Sequence, residues 1–206
     1  MNKNFIWIIG GVVVLGAFLA WLFIASSQPL PGQKIDDLGR GHVQIGTEVI
    51  YNSNPPTSGK HYEEWVRSGV YETPRDDRNL VHSLEHGYVI LSYKCNSSVI
   101  ASTSTSLSVD SAKQSTVDNN EIATSPASPD PRNDDEKKCQ ERKDQLAQIY
   151  EKKGKTKLIV IPRPELDAKI ALTAWNYLDK FNDFDQSRIE KFIDAHLNMG
   201  PEKTME

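Results

Sequence analysis

The sequence predicts a small α+β domain behind a single N-terminal transmembrane helix. Three observations support this: an uncharged apolar run from Phe5 to Ile24; short apolar or β-branched runs at 88–93, 157–161 and 170–175; and a carboxy-terminal segment whose apolar residues recur at helical spacing. Residues 1–25 are expected to form the anchor, 26–40 a linker and 41–202 one domain with one core, a length that suits a single domain.

At about 1.5 Å of rise per residue, the Phe5–Ile24 run matches a hydrocarbon layer of about 30 Å. Trp7 and Trp21 stand near its ends, where indoles favour the membrane interface, and Lys3 marks the cytoplasmic side. The domain is then expected to face outward, single-pass at the cell membrane. A cleaved secretory signal is the alternative, with Ala25 and Ser27 as the small residues at the cleavage site. Both readings place the domain outside the cytoplasm.

After a Pro/Gly linker at 28–34, the alternation from Gly41 to Tyr51 predicts a strand with Val43 and Ile45 on one face. Asn54-Pro55-Pro56-Thr57-Ser58-Gly59 predicts a rigid turn that delivers His61 at a defined place. The runs at 88–93, 157–161 and 170–175 read as buried strands. The charged segment from about Asp135 to Lys153 sets Cys139, Leu146, Ile149 and Tyr150 on one side of a helix that Gly154 can cap. In the last helix Ser187 and Glu190 read as a capping box. Ile189, Phe192, Ile193, His196 and Leu197 form its apolar stripe, and Gly200-Pro201 ends it.

Cys95 and Cys139 are the only thiols, and outside the cytoplasm they are expected to form one disulfide. Their spacing is far from Cys-x-x-Cys, which argues against thioredoxin-like chemistry. Residues 96–135 between them are rich in Ser and Thr and contain no glycine or aromatic residue, and so predict a disordered insertion.

The 24 basic and 28 acidic side chains give a formal charge of −4 with no dense basic stripe, so nucleic acid is not an expected partner. Phosphate loops, dinucleotide fingerprints and Gly-x-Ser-x-Gly are absent, and Ser58 and Ser83 lack the setting of a nucleophile. Chemistry falls to the five histidines, His42, His61, His82, His86 and His196. Each has a packing reading beside the ligand reading, and for His196, on the apolar face of its helix, packing is favoured. Neutral imidazole is the commonest metal ligand and suits Cu, Zn or Fe. His82-Ser83-Leu84-Glu85-His86 matches the H-x-x-E-H of inverted zinc proteases. There the motif lies in a long helix, for which Gly87 and the following β run leave little room.

The runs Asn54–His61, Gly69-Val70-Tyr71, Val81–Gly87 and Phe192–Glu202 resemble an uncharacterised family of membrane-anchored and secreted prokaryotic proteins, domain of unknown function 3105. The resemblance covers most of 40–95 and 157–202. Lys60 stands where that pattern often has proline. The resemblance implies that His61, His82, Glu85, His86 and His196 are parts of one site, without naming a metal or reaction.

The expected function is binding of one transition metal ion, copper ahead of zinc or iron, through His61, His82, His86 and His42 or His196, with Glu85 as ligand or orienting group. Imidazole-rich, thiol-poor sites outside the cytoplasm suit Cu(II), and Met199 and Met205 offer soft contacts for Cu(I). A metal-dependent hydrolase or oxidase and a non-catalytic interaction module are the alternatives. No protein partner is legible.

Overall fold

The computed structural model describes residues 3–26, 29–95 and 131–204, with side chains from 10 to 22 in the first segment and from 135 in the last. The chain divides into two compact units, Met1–Pro31 and Gly32–Glu206. The first is a helix, α1 (Lys3–Ser26), whose described side chains are all exposed. Among the residues whose side chains are described, which in α1 are 10–22, no helix is long and apolar enough to cross a membrane.

The second unit is a mixed α+β domain built on a six-stranded sheet. In chain order its elements are β1 (Gln33–Lys34), β2 (Gly69–Val70), α2 (Asp77–Glu85), β3 (Val89–Tyr93), α3 (Pro131–Lys152), β4 (Leu158–Pro162), β5 (Ile170–Ala174), β6 (Tyr177–Phe181) and α4 (Gln186–His196). The strand order is β1-β6-β5-β3-β4-β2. β3 runs parallel to β4, with Val89 opposite Leu158, and antiparallel to β5, with Leu91 opposite Leu172. A parallel pair needs a long crossover, and the chain between β3 and β4, which includes α3, supplies it.

β3, β4 and β5 are buried at every position because the sheet is covered on both faces. That is why these strands read as unbroken apolar runs rather than alternating ones. Val89, Leu91, Leu158, Val160, Ile170 and Leu172 face Leu146 and Ile149 of α3 and Ile189, Phe192 and Ile193 of α4. Ile90, Ile159 and Ile161 point the other way, against Leu80 and Leu84 of α2 with Val66 and Tyr88.

These three strands lie within a residue of their expected positions, and the apolar stripes of α3 and α4 pack on the core as expected, with Tyr150 and Leu197 only partly buried at its margin. Several expectations need correction. Residues 41–51 form no strand: Ile45 and Ile50 are 80% and 88% exposed, and the segment pairs only through an isolated bridge between His42 and His61. Among the described residues no strand pairs with it, and Gly46 at φ 91° sits in a turn that ends the alternation.

The linker expected over 26–40 is shorter, since β1 already pairs with β6, Gln33 opposite Leu178. α3 starts at Pro131, inside the expected insertion, whose remaining residues, 96–130, lie outside the described ones. α4 is capped by Asp185, whose carboxylate accepts from the Arg188 N–H, and not by Ser187; Glu190 instead pairs with Lys152. Cys95 and Cys139 do meet at disulfide distance, with Cα atoms 5.4 Å apart.

Candidate metal centre

The short helix α2 organises the site. Asp76 caps its first turn by accepting from the Arg78 N–H at 2.9 Å, and Arg163 holds Asp77 through both carboxylate oxygens. The acidic pair at 76–77, which in sequence reads as solvated loop charge, is therefore structural. Leu80 and Leu84 bury the helix against the sheet, and His82 and Glu85 fall on its last turn. The H-x-x-E-H stretch is thus helical up to Glu85, in a helix of nine residues. His86 is the C-cap, and Gly87 at φ 82° turns the chain into β3.

Two braces fix the end of this helix. The Lys157 ammonium donates to the His86 carbonyl at 3.0 Å and to the Thr204 carbonyl at 2.7 Å, placing a buried cation at a helix C-terminus. Beside it, the Glu202 N–H donates to the Glu85 carbonyl at 3.0 Å. Gly200 lies so close that an added Cβ would stand 2.3 Å from the Glu85 carbonyl oxygen.

His61 arrives from the Pro-Pro turn. Its N–H donates to the Gly41 carbonyl at 3.0 Å, and its own carbonyl accepts from the Val43 N–H at 2.8 Å, which draws His42 alongside. The Nδ1 of His61 lies 2.8 Å from the Gly59 carbonyl, and the Nδ1 of His82 lies 2.8 Å from the Tyr62 carbonyl. A carbonyl only accepts, so in each ring Nδ1 carries the proton, leaving the Nε2 lone pair available in the neutral form.

These pieces converge. His42, His61, His82 and Glu85 each offer a ligand atom within 4.8 Å of the others; the last three are buried and His42 is exposed. Nε2 of His61 faces Oε2 of Glu85 at 2.9 Å, while Oε1 of Glu85 is 3.7 Å from the Arg40 guanidinium. A lone pair set against a carboxylate oxygen at that distance calls for a proton or a metal cation between them. Burial, together with neighbouring His86 and His61, lowers the pKa of His82 from 6.5 to about 4, so its ring is neutral near pH 7. The donor set is three imidazoles and one carboxylate, within the range that Zn, Cu or Fe accepts.

His86 stands beside this group rather than in it, its ring 4.5 Å from that of His82 and 5.0 Å from Trp65. The expected inclusion of His196 is not what the fold shows: its ring packs between Tyr177 and Phe192, each 4.4 Å away, on the α4 side of the sheet. Met199 is 63% exposed and outside the group, and Met205 lies outside the described residues. Ser83 Oγ donates to the Val66 carbonyl and accepts from its N–H, and Ser58 Oγ accepts from the Leu38 N–H, so both hydroxyls serve the backbone. Trp65, whose ring lies 5.3 Å from His82, is the residue that sequence reasoning missed; its only signal is its place between His61 and His82. A groove of about 790 Å³ opens beside His42, lined also by Gln44, Glu63, Glu64, Trp65 and Arg67.

No curated protein and no solved structure matches the chain. The sequence profile described as "Protein of unknown function (DUF3105)" matches residues 42–134 and 132–206, a span containing every residue of the site except Arg40. The chain therefore belongs to the DUF3105 family of proteins of unknown function.

Proposed function

We propose that the domain binds one divalent transition metal ion through His42, His61, His82 and Glu85. The observation that carries this reading is the convergence of two Nε2 lone pairs, each oriented by a backbone carbonyl behind it, with a buried carboxylate. Orientation of a ligating ring through its far nitrogen is what metal sites use to fix tautomer and direction. Cu(II) is the favoured ion, because it binds nitrogen and oxygen donors more tightly than the other divalent ions of the first row. The uncharged Phe5–Ile24 run supports placing this centre outside the cell membrane on a single-pass anchor.

The test is elemental analysis of the full chain, purified in detergent without chelators or a polyhistidine tag, followed by competitive Cu(II) and Zn(II) titration. About one metal per chain that is lost in His82→Ala supports the reading. A protein with no affinity tighter than roughly 1 mM, about −4.1 kcal/mol, rejects it and favours an interaction module. The groove at His42 favours a second reading, a metal-dependent hydrolase or oxidase with its open position there. Turnover by the metal-loaded chain on a hydrolase or oxidase substrate panel, lost in Glu85→Gln, would support it.

A further inference from the structure

We propose that His42 is the exchangeable ligand of this centre, the position at which a nitrogen or oxygen donor of an incoming chelator or carrier takes over the metal. The inference rests on the metal-binding reading and concerns how the ion enters and leaves. The four residues are not equivalent. His61, His82 and Glu85 are 0%, 3% and 4% exposed, whereas His42 is open to solvent.

Their anchoring differs in the same sense. His61 and His82 are each fixed through Nδ1 to a backbone carbonyl, and the Glu85 backbone is clamped by Glu202. The ring of His42 has only ring contacts, at 5.2 Å to His61 and 4.9 Å to His82, and no side-chain hydrogen bond among the described residues. Its backbone belongs to the segment that was expected to be a strand and is not. Gly39, Gly41 and Gly46 flank it at positive φ, and an added Cβ at any of them meets nothing within 4 Å. The bridge to His61 keeps the backbone in place, and no hydrogen bond among the described residues ties the imidazole.

The groove supplies the route. It opens at His42 and sets the exposed carboxylates of Glu63 and Glu64 against one guanidinium, that of Arg67, so the net charge of its wall is negative and favours the approach of a cation. In the exchange step the bond from the metal to His42 breaks, the imidazole leaves neutral, and a bond to the incoming donor forms; the oxidation state of the metal does not change. The three buried ligands hold the ion meanwhile.

The test uses the full chain in detergent, loaded with one equivalent of Zn(II), with release to 4-(2-pyridylazo)resorcinol followed by stopped flow. His42→Ala should retain one zinc per chain and release it at least roughly tenfold faster than the unsubstituted protein, since loss even of outer-shell partners costs about 10-fold or more. His82→Ala should hold no stoichiometric zinc. Release from His42→Ala within twofold of the unsubstituted rate overturns the inference, and so does failure of that variant to hold zinc, which would make His42 an obligatory ligand. If the unsubstituted protein holds no metal, the metal-binding reading falls and takes this one with it.

Discussion

His61 and Glu85 face each other across 2.9 Å, ring nitrogen to carboxylate oxygen, while the other nitrogen of that ring is committed to the Gly59 carbonyl. They come from different parts of the domain, a turn and the end of a helix, and meet where neither can turn to water. A variant at Glu85 should therefore separate the folding role of the pair from its ligand role.

Glu85→Gln replaces one carboxylate oxygen with an amide N–H that can donate to the free nitrogen of His61. The metal-free variant is expected to unfold at the same temperature as the parent or slightly higher, a gain of about 1 kcal/mol at most. Its metal affinity should fall at least roughly tenfold. Calorimetry with and without metal checks both, and a metal-free variant much less stable than the parent would mean that a proton bridges His61 and Glu85 when the metal is absent.

Acid should destabilise the metal-free domain through His82. Its pKa is about 4 in the fold against 6.5 unperturbed, so between those values the unfolded chain holds a proton that the folded one does not. Stability therefore rises with pH through this window, is complete above about 6.5, and is lost as pH falls toward 4. One proton sets a ceiling of about 1.4 kcal/mol per pH unit. Urea titrations at stepped pH should show the slope in the parent and a flatter limb in His82→Asn; equal slopes would assign the sensitivity elsewhere.

Gly200→Ala should damage the site from behind. The added methyl would stand 2.3 Å from the Glu85 carbonyl oxygen and 2.3 Å from the Gly87 nitrogen, so backbone has to move. Overpacking of this kind costs about 1–3 kcal/mol, and the displaced helix end should weaken metal binding as well. Thermal unfolding and metal titration of this variant, beside the exposed-surface control Lys203→Ala, test the brace.

Reduction of the Cys95–Cys139 pair should lower stability and spare the metal. The bridge closes a loop with a sequence separation of 44, worth about 4 kcal/mol in the chain-entropy treatment. Both cysteines pack on the α3 and α4 side of the sheet, opposite α2. Denaturant midpoints with and without reductant should shift, while metal stoichiometry in buffer stays at its oxidised value.

β3, β4 and β5 were legible because strands buried on both faces leave continuous apolar runs that only a core can explain. β6 was not: Tyr177-Leu178-Asp179-Lys180-Phe181 mixes charge into its run, and Asp179 is held by Arg188 of α4, a contact no local pattern carries. α2 was hidden by its shortness and by the glycine that ends it, although Asp76 before Leu80, Val81 and Leu84 was a usable start signal. His61, His82 and Glu85 were readable as neighbours of special backbone. The inclusion of His42 depends on a bridge to His61 across the Pro-Pro turn, whereas the apolar stripe of α4 already pointed His196 into the core.

The brace at Gly200 and Glu202 also bears on how small a working unit can be made. All four candidate donor residues fall between positions 42 and 85, and a peptide of that span would contain the whole cluster. It would lack the Glu202 N–H that holds the Glu85 carbonyl, the Lys157 cation at the helix end, and β3 and β4 on which α2 rests. The cluster is local in sequence, but its geometry belongs to the whole domain. Transplanting the centre into another scaffold therefore means copying the clamp along with the donors.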